Sequence, residues 1–256
     1  MREHSSCGVG FVASTAQEAK RRYLDQALRA LTCVEHRGGL LADQRTGDGA
    51  GVMTDIPFDL FGIEPGSAAV ATLFLTLPAS AQRQALDLYG TVLRSRGLVI
   101  RDTRTVPLDT SALGRQAREA LPTIVHLFID RPEYCRTEAS FGSLLYQAKQ
   151  VAQTALRREG LGDAVATVSM SAKTLVYKAL TRSQDLAALY PDLRESRYAT
   201  RFALFHRRFS TNTSTSWDKA QPFQMVAHNG EINTIACNRS WAVSREQTMG
   251  LPAGEQ

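Results

Sequence analysis

Two short runs carry residue types that do chemistry together. Cys7 opens the run Cys7-Gly8-Val9-Gly10, and His228-Asn229-Gly230 stands near the other end of the chain. A thiolate attacks an amide carbonyl, and the attack creates an oxyanion. An Asn side-chain amide beside a Gly backbone N–H supplies two convergent donors for that oxygen. Six residues precede Cys7, so removal of a short leader makes it the first residue of the chain. It then carries its own base. An α-amine has a pKa of about 7.7–8.0 and a thiol one of about 8.5, so a partly neutral amine can take the thiol proton near pH 7. Such a unit needs neither His nor Asp. Asn229-Gly230 also reads as a β-turn, and the readings agree, because a tight turn aims the backbone N–H inward. His228 alone reads as a packed strand-end histidine.

The elements that must position these residues read as mixed α and β. Gly8–Ala13 reads as a strand. Thr15 and Glu18 read as a capping box for a helix with apolar Ala19, Tyr23, Ala27, Leu28, Leu31 and Val34, ended by Gly38-Gly39. Thr46–Gly51 is a glycine-rich loop feeding a strand at Val52–Asp55. It lacks the Lys-Ser/Thr of a phosphate loop and reads as a tight turn near the active strand. Pro57–Ser67 reads as a surface excursion, Ala69–Leu77 as an apolar strand, and Ser80 as the cap of a helix stopping near Gly97. Leu98–Ile100 and Thr123–Ile129 read as strands, and Glu138 to about Arg158 as a long helix. Ala164–Met170 and Thr174–Tyr177 read as paired strands around Ser171–Lys173. A short helix follows over Ser183–Leu189, then strands at Phe202–Phe205 and Gln224–Ala227. This order predicts a layered α+β fold and one domain.

Composition narrows the classes. Apolar content of 43% and charge of 21% are those of an ordinary globular protein, not a disordered one. No apolar run is long enough to span a bilayer, so no membrane is expected. The net charge of +5 comes from scattered arginines. Arg21, Arg22 and Arg29 read as one solvated helix face, and Arg157-Arg158 and Arg207-Arg208 as doublets. No basic stripe with aromatics appears, so no nucleic acid is expected. Cys7, Cys33, Cys135 and Cys237 are widely spaced, which argues against a disulfide framework or zinc site and for a cytoplasmic, reducing setting.

The ordered set of motifs resembles the class II, N-terminal-nucleophile glutamine amidotransferase domain of glutamate synthase. It comprises Cys7-Gly-Val-Gly-Phe-Val12, Glu35-His-Arg-Gly38, Thr46-Gly-Asp-Gly-Ala-Gly51, Val176-Tyr-Lys178 and Tyr190-Pro-Asp-Leu193. Arg208-Phe-Ser-Thr-Asn212, Trp217, Ala220-Gln-Pro222 and His228-Asn-Gly-Glu-Ile-Asn-Thr234 complete it. The resemblance implies a four-layer αββα sandwich of the N-terminal-nucleophile hydrolase type. It implies a propeptide at residues 1–6 and an amidotransferase domain at 7–256. Cys7 would be the nucleophile, and Asn229 and Gly230 the oxyanion hole. Arg208 would hold the α-carboxylate of L-glutamine, with Ser210, Thr211 and Asn212 as nearby polar contacts. Strand alternation puts Arg207 and Arg208 on opposite faces, so only one can reach the pocket, and the motif favours Arg208. Arg37 would organise the site near the nucleophile, although a basic residue after a helix end also has a plain electrostatic reading.

By the same resemblance, ammonia released from glutamine would serve glutamate formation from 2-oxoglutarate. That step belongs to a synthase portion of the same chain or a partner subunit, carrying FMN and an iron–sulfur cluster. No cofactor is expected in this chain. The family's ammonium-binding Asp, due some tens of residues after His228-Asn-Gly, has no match before Gln256, so the domain is expected to be incomplete at its C-terminal end. Two other readings stay open. One is a non-catalytic glutamine-binding or regulatory module, the other a class II amidotransferase feeding a different acceptor.

Overall fold

Val9, Phe11 and Val12, β-branched and aromatic residues, favour extended backbone, and the computed structural model forms this segment into β1 (Gly8–Ala13). The structure describes residues 8–208, 216–224 and 235–248, with side chains to residue 245 in the last stretch. After β1 come α1 (Arg21–Cys33), β2 (Ala50–Asp55), α2 (Phe58–Phe61), β3 (Ala68–Leu75), α3 (Ala79–Ser95) and β4 (Ile100–Thr105). Then follow α4 (Arg115–Glu119), β5 (Thr123–Asp130), α5 (Glu138–Arg158), β6 (Val165–Ser171), β7 (Thr174–Ala179), α6 (Leu186–Leu189), β8 (Phe202–Arg207) and α7 (Ala236–Thr248). The strands build two antiparallel sheets, ordered β1-β8-β2-β7 and β4-β5-β3-β6. The α+β class read from the sequence is therefore observed. The chain divides after Gln224. The later part contributes α7, a helix the sequence pattern did not reveal.

β3 is buried along its whole length, as an uninterrupted apolar run requires. Ala69, Ala71, Leu73 and Leu75 join a core with Tyr89 and Leu93 of α3 and Phe141, Leu145 and Ala148 of α5. Val70 and Phe74 join a second core that holds Leu24 and Leu31 of α1, Val52, Tyr177 and Phe205. α5 has the bounds expected. Thr137 and Ser140 close a reciprocal capping box, and the buried stripe Phe141, Leu145, Ala148, Ala152, Leu156 faces the core. Each large member of that stripe contributes about 1.5–3 kcal/mol by leaving water. Arg157 and Arg158 end the helix, where cations suit its dipole.

Several local expectations are corrected. Thr15 and Glu18 form no capping box. The Glu18 N–H bonds to Ser14 Oγ at 3.2 Å, and Lys20 stays extended because it bridges Thr200, so α1 starts only at Arg21. That helix ends at Cys33, and a 3-10 turn over Glu35–Arg37 intervenes before Gly38. Ser80 is not the cap of α3. The Pro78 carbonyl takes the N–H groups of Ala81 and Gln82, and Ser80 sits inside the first turn. The excursion at Pro57–Ser67 is docked rather than free, with Phe61 edge-on to His126 and Phe128 at 5.7 and 5.3 Å.

The largest correction concerns β6 and β7, which do not pair. β6 joins β3 in one sheet and β7 joins β2 in the other. Ser171 Oγ accepts from the N–H groups of Lys173 and Thr174 and turns the chain from sheet to sheet. Gln224 is a bend, not a strand start, and its side-chain amide bonds both N–H and C=O of Met170. The remainder of that expected strand, 225–227, lies outside the described residues.

His126, on β5, is fully buried between Phe61, Phe128 and Tyr177, and neither ring nitrogen has a hydrogen-bond partner among the described residues. Burial, and then the nearby Arg104 charge, lower its pKa to about 3, against a smaller opposing pull from Asp192. An unfolded imidazole titrates near 6.5. Between those values the unfolded chain binds a proton that the folded chain refuses. Stability therefore falls as pH drops from about 6.5 toward 3, by up to about 1.4 kcal/mol per pH unit. His126→Phe is expected to flatten that slope and to add about 1–3 kcal/mol at pH 7, by removing two unpaired polar atoms. Urea unfolding at pH 7 and pH 5 checks this; an unchanged slope in the variant would assign it to another group.

Candidate active site

β8 lies between β1 and β2, and its last residue, Arg207, pairs with Gly8 on one side and Ala50 on the other. Arg207 is completely buried. Read from sequence as one of a doublet on opposite strand faces, it is the hub of this end of the sheet. Its five N–H groups meet five acceptors. Nε and Nη2 hold the two oxygens of Glu35 at 2.9 Å each, and Nη2 also reaches the Gly39 carbonyl at 3.2 Å. Nη1 takes Asp48 Oδ1 and the Gly49 carbonyl, the latter at 2.7 Å. Gly38 lies flat on the guanidinium, and any side chain there would overlap it. One residue thus ties the turn after α1 and the loop before β2 to the end of β8.

The two carboxylates are themselves anchored. Burial alone would raise the Glu35 pKa, but Arg207 and the Ser183 N–H hold it below the ordinary carboxylate value. The Asp48 N–H bonds to the Gly39 carbonyl at 3.1 Å. Further back in the same loop, Asp43 accepts from Thr46 N–H and hydroxyl and from Gln116 N–H, which fastens it to α4. The glycine-rich run Thr46–Gly51 is therefore a tightly held turn that leads into β2 beside the end of β8.

Two of the expected site residues, Arg37 and Arg208, lie at this end of the sheet. The Cβ of Arg37 lies against Gly8, so close that a Cβ on Gly8 would sit 3.0 Å from it and 3.0 Å from that of Arg207. Gly8 is the residue after Cys7, so Arg37 stands beside the start of β1. Arg208 follows directly from β8. Its φ of 113° is in the left-handed region that non-glycine residues seldom occupy. Its N–H bonds to the Gly49 carbonyl at 2.6 Å and its carbonyl accepts from Gln221 N–H at 3.4 Å. Its Nε lies 3.7 Å from Asp48 Oδ2, and the side chain is 30% exposed. Cys7, Ser210, Thr211, Asn229 and Gly230 lie outside the described residues, as do Asn212 and His228.

Other motif residues prove to be framework. Asp192 is gripped by Arg104 through two bonds of 2.7 and 2.8 Å and accepts from Tyr177 at 2.8 Å. Tyr190 donates to the Lys178 carbonyl at 2.7 Å. Trp217 is buried, donating to the Ala117 carbonyl at 3.2 Å and meeting Phe74 edge-on. Burial lowers the Lys178 pKa to about 7 against the pull of Asp218, whose carbonyl takes its ammonium. The ammonium also lies 4.7 Å from the Phe223 ring centre. Sequence reasoning missed Arg207, Glu35 and Asp48 as a unit. The available signal was a charge in or beside each of three motifs, which by itself names no partner.

Residues 7–255 match the class-II glutamine amidotransferases, and the chain belongs to that family. Among its relatives is the chloroplastic ferredoxin-dependent glutamate synthase of Oryza sativa subsp. japonica, 38% identical over 98% of this chain. A ferredoxin-dependent glutamate synthase 2 of Synechocystis sp. is 37% identical over 96%. The large chain of the NADPH glutamate synthase of Azospirillum brasilense is 33% identical over 98%. The chain spans only 16–17% of the length of these relatives. No helix among the described residues is long and apolar enough to cross a membrane.

Proposed function

We propose that this chain is the glutamine-hydrolysing part of a glutamate synthase. The Cys7 thiolate, its proton taken by its own α-amine once residues 1–6 are removed, attacks the side-chain amide of L-glutamine. Asn229 and Gly230 stabilise the oxyanion. The C–N bond breaks, ammonia leaves, and water hydrolyses the remaining thioester to glutamate. Arg208 pairs with the α-carboxylate, Ser210 and Thr211 add polar contacts, and Arg37 shapes the site beside the nucleophile. Ammonia then serves glutamate formation from 2-oxoglutarate in a synthase portion outside this chain. The observation that carries this reading is the convergence of Arg37 and Arg208 with Gly8 at one end of one sheet.

The four-layer αββα sandwich belongs to the same proposal. β3 sends alternate side chains into two cores, and α1 lies against β1 and β8 on the other sheet. An iron–sulfur cluster and FMN would belong to the synthase portion. Among the described residues, Cys33 is exposed at the end of α1 while Cys135 is buried in the core with Phe141 of α5. A cytoplasmic setting agrees with the free thiols of Cys33, Cys135 and Cys237.

Arg208→Lys tests the binding role. A single ammonium cannot reproduce a two-bond fork to a carboxylate, so the glutamine KM should rise about tenfold with a smaller change in kcat. An unchanged KM would remove Arg208 from glutamine binding.

A further inference from the structure

We propose that Asp48 is a positioning residue for Arg208, orienting the guanidinium that receives the glutamine α-carboxylate; this rests on the reading of Arg208 given above. Asp48 is buried and sits between two guanidinium groups. Its Oδ1 is bound to Arg207, and its Oδ2 faces Arg208 Nε at 3.7 Å. That Nε is buried and has no hydrogen-bond partner among the described residues, so the carboxylate is its electrostatic counterpart. Asp48 cannot drift, because Arg207 and the Gly39 carbonyl hold it from two other directions. The Arg208 backbone is equally constrained, through the Gly49 carbonyl and the φ of 113°. Strain of this kind persists only where the surroundings impose it.

The arrangement has a chemical consequence. A guanidinium whose Nε edge is turned to Asp48 offers its two terminal Nη groups to an incoming carboxylate, the end-on fork. Asp48 shares its charge with the buried Arg207, so Arg208 keeps its attraction for an anion. Glu35 binds the other edge of the Arg207 guanidinium, which leaves Asp48 shared between Arg207 and Arg208. Asp48 touches no substrate atom and acts only through Arg208.

The test labels Cys7 in the full natural polypeptide with two electrophiles. One, 6-diazo-5-oxo-L-norleucine, has the shape and α-carboxylate of glutamine; the other, iodoacetamide, has no α-carboxylate. Asp48→Asn keeps an acceptor oxygen for Arg207 but removes the charge. It should slow labelling by the diazo ketone about tenfold and leave iodoacetamide labelling within about twofold. Glu35→Gln loosens Arg207 without touching Arg208. It should lower the melting temperature and leave the ratio of the two rates within about twofold. The double variant Asp48→Asn/Arg208→Lys should be no slower with the diazo ketone than Arg208→Lys alone, because the two residues act as a unit. An unchanged ratio in Asp48→Asn, an equal fall in Glu35→Gln, or additive losses in the double variant would each overturn the assignment. A wild-type protein labelled at Cys7 by neither reagent would instead sink the nucleophile reading, and this assignment with it.

Discussion

Cys7→Ala is expected to abolish glutamine hydrolysis, with a loss on the order of 10⁶ in turnover, the scale seen when a covalent nucleophile is removed. An alanine methyl forms no thioester, and neither oxyanion donors nor a carboxylate clamp can replace the missing bond. The substitution removes one sulfur atom at the head of β1, so the circular-dichroism spectrum should be unchanged. Cys7→Ser is the more telling companion. It retains a weak nucleophile and an α-amine, so a small residual rate should survive only where residues 1–6 have been removed. Ammonia release measured on the purified variants decides the matter. Turnover retained by Cys7→Ala would end the thioester mechanism, and a Cys7→Ser rate indifferent to leader removal would end the role of the α-amine.

Arg207→Ala should be the most destabilising of the substitutions considered, at about 3–5 kcal/mol, because it leaves the buried Asp48 and the partly buried Glu35 without the guanidinium that binds them. Glu35 and Asp48 lose their shared partner, and the carbonyls of Gly39 and Gly49 lose their donor. Arg207→Lys should recover only part of the loss, since three donors on a flexible stem cannot meet five acceptors around a plane. The pH dependence has a definite sign. Arg207 helps to hold the Glu35 pKa below its ordinary value, so this stabilisation is present above the usual carboxylate range and is lost as pH falls through it. The gap between wild type and Arg207→Ala should therefore be wider at pH 7 than at pH 3. Urea unfolding at both pH values provides the check. A cost below about 1 kcal/mol at pH 7 would mean that the cluster contributes little to stability.

Much of the local structure was legible because local physics controls it. α5 appears with the bounds its apolar spacing indicates. β1 and β3 follow directly from β-prone residues and an apolar run. Two of the failures share one cause. Lys20 stays extended because a residue far along the chain, Thr200, bridges it. β6 and β7 look like a hairpin by spacing, yet each finds its partner in a different sheet, and hydrophobic periodicity says nothing about which strand pairs with which.

The same division runs through the site. Residue chemistry alone pointed to Cys7 as a candidate nucleophile and to Asn229 and Gly230 as candidate oxyanion donors, while the choice of Arg208 for a carboxylate came from its motif. It did not determine which of two adjacent arginines would be buried. That choice was made by partners 172 and 159 residues away, Glu35 and Asp48, which reach Arg207 only because β8 inserts between β1 and β2. A buried charge is stable only where opposite charge and acceptors surround it, and such surroundings exist only once distant segments have been brought together.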